Sequence, residues 1–121
     1  RNIHMSAIDP SEDLLVVGAG YLGGLLIKEY KSAFPSARII AETRTSNKHA
    51  ALRELGAEPR TRDQRPSNEK IDNVVFCAAP GGNDDYVGEV QRAAQLWTGA
   101  GGLVFTSSTG VYAEENGGVV R

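Results

Sequence analysis

The chain has 121 residues, a formal net charge of −2 and a pI near 5.7, so a single domain with a modest core is expected. Its acidic and basic residues are interspersed and its apolar runs are short, which argues against a nucleic-acid partner and against a membrane span. A single cysteine cannot form an internal disulfide, which favours a reducing intracellular compartment such as the cytoplasm.

The predicted elements begin after a polar leader. Residues 1–11 lack the apolar segment of a secretory signal and include His4-Met5, a pair typical of a tag junction, so the folded domain is expected in residues 12–121. The run Leu14–Val17 is short and entirely apolar, which predicts a buried parallel strand.

A glycine motif follows this strand directly. Gly18 permits a tight turn, Gly20 permits close approach of a pyrophosphate, and Gly23 permits a helix to pack against the sheet. The free N–H groups and the positive end of the helix dipole then face the phosphates, with Tyr21 and Leu22 between the glycines as further contacts. The strand before and the helix after favour a nucleotide-binding turn over an ordinary glycine-rich turn.

Apolar residues at helical spacing follow the glycines, and Pro35 ends that helix. The predicted apolar face consists of Leu22, Leu25, Leu26, Tyr30, Ala33 and Phe34. The next predicted elements are a second strand (Arg38–Thr43), a short helix from Ser46 to Leu55 that Gly56 terminates, a weak third strand (Ala57–Thr61) and a loop or irregular crossover (Arg62–Lys70).

The second half repeats the alternation of strand and helix. Asn73–Ala79 predicts a fourth strand, a helix follows through Trp97, and Leu103–Thr106 predicts a fifth strand. This order predicts a doubly wound α/β fold of the Rossmann type, with about five parallel strands in the order 3-2-1-4-5. That order places the point where such sheets bind ligands beside the glycine turn.

Three segments resemble the short-chain dehydrogenase/reductase superfamily, in its extended or atypical branch of epimerase- and dehydratase-like members. They are the glycine turn, Phe76–Pro80 and Val104–Tyr112. The spacing Gly-x-Gly-x-x-Gly is tighter than the usual Gly-x-x-Gly-x-x-Gly of extended members. The resemblance implies an NAD(P)-binding domain acting on an unknown small-molecule substrate.

The resemblance also implies roles for individual residues. The end of strand four (Ala78, Ala79, Pro80) and Ser107 would line the cofactor, and Asp63 would contact the adenine. Ser108 matches the catalytic serine, and the alternative is that Ser107 and Ser108 are polar strand-end residues that satisfy a turn.

The end of the second strand bears on the choice of cofactor. The family pattern aligns Thr43 with the acid that usually binds the ribose 2′-hydroxyl, and Arg44 and Thr45 follow. A guanidinium can grip a 2′-phosphate bidentately, which favours NADP. In the alternative, Glu42 binds the ribose of NAD and Arg44 is a solvated charge.

No tyrosine of this sequence is followed four residues later by lysine, although the resemblance implies such a pair. We therefore expect an incomplete family member, truncated before strand six and inactive alone. A second hypothesis is a non-catalytic dinucleotide-binding or sensing module. A third is a structural domain that has no ligand. An unpaired strand-five edge would invite self-association.

Overall fold

The computed structural model describes residues 11–77, 86–107, 110–115 and 118–120. In chain order the elements are β1 (Leu14–Val17), α1 (Tyr21–Ala33), β2 (Ile39–Thr43), α2 (His49–Glu54), β3 (Glu58–Thr61), a 3₁₀ turn (Arg62–Gln64), β4 (Asn73–Phe76), α3 (Tyr86–Ala94), β5 (Gly102–Ser107), β6 (Gly110–Glu115) and β7 (Gly118–Val120). None of the helices in these ranges has the length and apolar character needed to cross a membrane.

The strands form one sheet in the order β3-β2-β1-β4-β5-β6-β7. The first five are mutually parallel, with Leu15 opposite Ile40 on one side and Val74 on the other. The predicted order 3-2-1-4-5 is therefore confirmed. Because β1 lies between β2 and β4, the chain leaves β1 at the point where the sheet order reverses, and the glycine turn lies there.

The expectation that strand five forms an open edge of a truncated sheet is wrong. β6 pairs antiparallel with β5, from Gly102 opposite Glu115 to Ser107 opposite Gly110, and β7 then pairs with β6. Within the described strands the sheet edges are therefore β3 and β7. The self-association expected at β5 loses this basis and stays an untested prediction.

The core lies on both faces of the sheet, as the alternation along β1 requires. Leu14 and Val16 face α1 and α2, whereas Leu15 and Val17 face α3. On the first face they pack with Ala19, Ile27, Ile39, Ala41, Leu52 and Ala57, and on the second with Ile40, Ile71, Val74, Phe76, Ala93, Leu96 and Leu103. All four residues of β1 are buried, which confirms the prediction of a buried strand.

The predicted apolar face of α1 is partly wrong, although its members Leu26 and Tyr30 do pack against the core. Leu22 and Leu25 are 52% and 46% exposed, whereas Ile27 is fully buried. Gly23 lies one helical turn before Ile27 and is also buried, so these two positions define the packed side. A glycine brings the helix backbone close to the sheet, and that approach decides which side is buried.

The helix predicted from Ser46 begins later, at His49, and the side chain of Ser46 does not cap it. Lys48 is the N-cap residue, and the Ser46 carbonyl accepts a hydrogen bond from the His49 N–H. The predicted stop at Gly56 is confirmed, with φ +94° directly after the helix. The predicted end of strand four at Ala79 lies outside the described residues.

Candidate cofactor site

The glycine turn is tied to the end of β2 by the backbone. Gly18 has φ +82°, a conformation that favours glycine, and it turns the chain from β1 towards α1. The N–H groups of Gly18 and Ala19 donate to the Glu42 carbonyl, at 2.8 and 3.2 Å. The Glu42 backbone thus fixes the turn, and residues 43–45 lie beside it.

The other two glycines of the motif have different surroundings, open at Gly20 and packed at Gly23. A Cβ at Gly20 would meet no atom within 4 Å, so the volume beside this backbone is open. A Cβ at Gly23 would lie 3.3 Å from both Val16 Cγ1 and Ala19 Cβ, which explains the close helix–sheet contact. The first turn of α1 holds no acidic residue and presents N–H groups without partners inside the helix. These features fit a phosphate ligand.

A cavity of about 230 Å³ lies between this turn and the β2–α2 connection. Its lining residues are Gly18, Ala19, Gly20, Thr43, Arg44, Thr45, Asn47 and Lys48. Of these described lining residues, two are cations, Arg44 and Lys48, and none is a carboxylate. The structure thus brings Gly18 and Gly20 together with residues 43–45, as the sequence predicted, whereas Gly23 lies in the contact between helix and sheet.

Glu42 is held on the opposite face of the sheet from this cavity. Its side chain is 1% exposed, and its carboxylate accepts from Arg60 Nε at 3.1 Å and from Arg65 Nε at 3.0 Å. Arg65 Nη2 contacts the second carboxylate oxygen. A carboxylate occupied by two guanidiniums is not available to a ribose hydroxyl, which disfavours the alternative in which Glu42 recognises NAD.

The arginines are themselves fixed by a second carboxylate. Arg60 donates to both oxygens of Glu69, from Nη1 at 2.9 Å and from Nη2 at 2.5 Å. Burial lowers the pKa of Arg60, but the bonds to Glu69 and Glu42 outweigh it, so the net pKa is raised and the charge is retained. The segment predicted as a loose crossover therefore contains an ordered ion-pair network. Three arginines within residues 60–65 were the sequence signal for it.

His49, which no sequence motif singled out, contacts Thr43 in the cavity wall. It is 8% exposed and lies at the start of α2. Its Nε2 is 2.8 Å from Thr43 Oγ1, and Thr43 Oγ1 donates to the Thr45 carbonyl at 2.6 Å. The only sequence signal was proximity, because six residues separate His49 from Thr43.

Two other predicted site residues, Leu22 and Asp63, do not line this cavity. Leu22 is exposed on α1, and Asp63 lies in the 3₁₀ turn, where it accepts from the Thr61 hydroxyl. Tyr21 and Ser107 are placed by their backbones, at the start of α1 and the end of β5. The expectations for Ala78, Ala79, Pro80 and Ser108 fall on residues outside the described ranges.

Cys77 follows β4, and its thiol is half-buried. Burial raises its pKa, and a bond with the Thr106 side chain offsets part of that rise. The thiol is therefore kept protonated, as expected of a structural cysteine rather than a nucleophile. Among the side chains in the described ranges, no group of three metal-binding residues is brought together.

Solved structures resemble this chain in fold. They include a functionally unknown conserved protein from Silicibacter pomeroyi DSS, with 29% identity over 70% of this chain and a TM-score of 0.52. The alcohol dehydrogenase TADH from Thermus sp. ATN1 matches with 21% identity over 87% and a TM-score of 0.64. Coclaurine N-methyltransferase bound to N-methylheliamine and SAH matches with 14% identity over 85% and a TM-score of 0.60.

These matches show a Rossmann-like fold. The chain spans about a third of the length of each of the three proteins, 32%, 32% and 33%. No protein-family model and no curated protein matches the chain. The neighbours include both a dehydrogenase and a methyltransferase, so the fold is common to more than one chemistry.

Proposed function

We propose that the chain is the NADP-binding part of a short-chain dehydrogenase/reductase-like oxidoreductase or epimerase. The observation that carries this proposal is the charge of the cavity beside the glycine turn. Arg44 and Lys48 line it, while Glu42, the acid of β2, forms ion pairs with two arginines on the other face of the sheet. Among the described residues, the cavity lining holds cations and no carboxylate, which suits a ribose carrying a 2′-phosphate better than one carrying a 2′-hydroxyl.

Each part of the cavity has a role in this proposal. The open backbone at Gly20 and the first turn of α1 would bind the pyrophosphate. Arg44 and Lys48 would bind the 2′-phosphate, and Asn47 would supply a neutral donor beside them. The bound cofactor supplies hydride chemistry, and the chain fixes its orientation. Ser108 would orient the substrate, as its match to the family serine implies.

Calorimetric titration with NADPH and NADH tests the proposal. We expect NADPH to bind more tightly, and Arg44→Ala to weaken NADPH binding by about tenfold to a hundredfold, since a charge-assisted contact contributes roughly 1.5–3 kcal/mol. NADH affinity should change by less than threefold.

Arg53→Ala is the matched control, because Arg53 is an exposed arginine of α2 that does not line the cavity. It should leave both affinities unchanged. Equal NADPH affinity in wild type and Arg44→Ala would contradict the assignment of the 2′-phosphate site. Binding of SAH in place of either dinucleotide would contradict the proposed cofactor class.

A turnover assay distinguishes an enzyme from the alternative, a non-catalytic dinucleotide-binding module. With NADPH and a panel of carbonyl and sugar-nucleotide substrates, this chain alone should bind the cofactor without oxidising it, because its sequence holds no Tyr-x-x-x-Lys. Turnover by a longer gene product that contains the pair would support the enzyme. Binding without turnover in such a product would support the module.

A further inference from the structure

The hydrogen bonds at Thr43 determine where one proton of His49 lies. A threonine hydroxyl has one proton to donate. Thr43 donates it to the Thr45 carbonyl, which can only accept, at 2.6 Å. The 2.8 Å contact between Thr43 Oγ1 and His49 Nε2 must therefore be donated by His49. Nε2 carries a proton, and the contacts run from His49 through Thr43 to Thr45.

We propose that His49 is a positioning residue of the nucleotide cavity, which orders residues 43–45 through this chain of hydrogen bonds and makes Thr43 an acceptor towards any ligand. Thr43, Arg44 and Thr45 all line the cavity, whereas His49 lies behind them and is buried. The proposal rests on the proposed function, because the ligand that benefits is the dinucleotide.

Two consequences for recognition follow. Thr43 has no proton left for a phosphate oxygen, so a 2′-phosphate must find its donors on Arg44, Asn47 and Lys48. The same two hydrogen bonds restrain the backbone on either side of Arg44, which keeps its guanidinium near the cavity at a lower entropic cost of binding.

The proton assignment is tested directly by nitrogen-15 NMR of the imidazole in the free protein. We expect Nε2 of His49 to be protonated, with its N–H protected from exchange, and that protection to be lost in Thr43→Val. An unprotonated Nε2, or protection unchanged in Thr43→Val, would overturn the hydrogen-bond chain. This measurement needs no ligand, so it tests the hydrogen bonds from His49 through Thr43 to Thr45 even if neither dinucleotide binds.

The positioning role is tested by calorimetry with NADPH and NADH. His49→Phe and Thr43→Val should each weaken NADPH binding by about tenfold, which is about 1.4 kcal/mol, and the double variant should lose little more. NADH binding should weaken by less than threefold, so the ratio of NADPH affinity to NADH affinity should fall. His49→Gln, whose amide N–H can replace the Nε2 donor, should recover most of the affinity.

Leu52→Ala is the control for a merely structural effect. Leu52 is a buried residue of α2 that does not line the nucleotide cavity, so this variant should lower the melting temperature without changing the ratio of the two affinities. The same loss of preference in Leu52→Ala, or full NADPH affinity in His49→Phe, would overturn the role of His49. If wild type binds neither dinucleotide, the proposed function fails and the positioning role fails with it.

Discussion

Replacing Glu42 with glutamine distinguishes a structural carboxylate from a ribose-binding one. The structure places this side chain at 1% exposure between Arg60 and Arg65, whose side chains are 11% and 13% exposed. Removing the charge leaves two nearly buried guanidiniums with a neutral partner. Breaking a buried ion pair on one side costs about 3–5 kcal/mol. Glutamine keeps one acceptor oxygen, and Arg60 keeps its two hydrogen bonds to Glu69. We therefore expect a cost at the lower end of that range, about 3 kcal/mol.

The expected change in melting temperature follows from chain length. At roughly 2.1 cal/mol/K per residue, the unfolding entropy of 121 residues is about 0.25 kcal/mol/K, so 3 kcal/mol lowers the melting temperature by about 12 °C. Circular dichroism during thermal unfolding measures this change. The NADPH and NADH affinities, measured well below the melting temperature, should both stay within threefold of wild type.

Glu58→Gln is the matched control, since Glu58 pairs with Arg38 at the surface, where the side chains are 58% and 57% exposed. Exposed pairs contribute about 0–1 kcal/mol, so the melting temperature should fall by less than about 4 °C. A Glu42→Gln variant with unchanged stability and a selective loss of NADH affinity would refute this reasoning and make Glu42 the ribose ligand.

Three further predictions concern the core, the acid side of the stability curve and the thiol. Ile27→Ala should cost about 2–5 kcal/mol in urea unfolding and Leu25→Ala less than about 0.5 kcal/mol, because only Ile27 is buried, and equal costs would contradict the packed side of α1. The pKa of Asp72 is lowered by a hydrogen bond from the Thr98 hydroxyl and by one from a backbone N–H, so its stabilisation is present above its unfolded pKa of about 3.8 and is lost as the pH falls through the lower folded value. Asp72→Asn should flatten that loss in urea titrations below pH 4, and an unchanged slope would contradict the assignment. Because burial raises the pKa of Cys77, iodoacetamide at pH 8 should label the folded chain at least tenfold more slowly than the urea-unfolded chain, and equal rates would show an accessible thiolate.

The sheet and the glycine turn could be predicted because each is specified locally. Leu14–Val17 is apolar at every position, as a central strand with both faces covered requires, and it is central in the sheet. The turn at Gly18 and the packing contact at Gly23 follow from glycine chemistry alone. Alternation of strands and helices then restricts the strand order to few choices.

The orientation of α1 could not be predicted from counting apolar residues. Leucines at positions 22 and 25 favoured one side of the helix, but burial followed Gly23 and Ile27. The close contact of Gly23 with Val16 determines which side of α1 is buried. That contact depends on how closely the backbones of helix and sheet approach, and not on the hydrophobicity of the helix. β6 was missed for a different reason, because residues 110–112 were interpreted only as part of a functional motif and residues 113–115 were assigned to no element.

The partners of Glu42 and His49 could not be predicted because they come from tertiary contacts. Glu42 meets an arginine 18 residues away and another 23 residues away, and no local pattern specifies either pairing. The sequence could place an acid and a threonine at the end of β2, but it could not show which one lines the cavity. The alternation of side chains across the strand supplies that answer, with Thr43 on the cavity side and Glu42 on the other.

We propose above all that a phosphate-bearing dinucleotide binds between the glycine turn and residues 43–48. Titration of the nitrogen-15-labelled chain with NADPH, followed by amide NMR, tests the place of binding directly. We expect saturable shifts concentrated at Gly18, Gly20 and residues 43–48, with smaller shifts for NADH at Arg44 and Lys48. Shifts confined to the crossover of residues 62–70, or none at all, would contradict binding at the glycine turn.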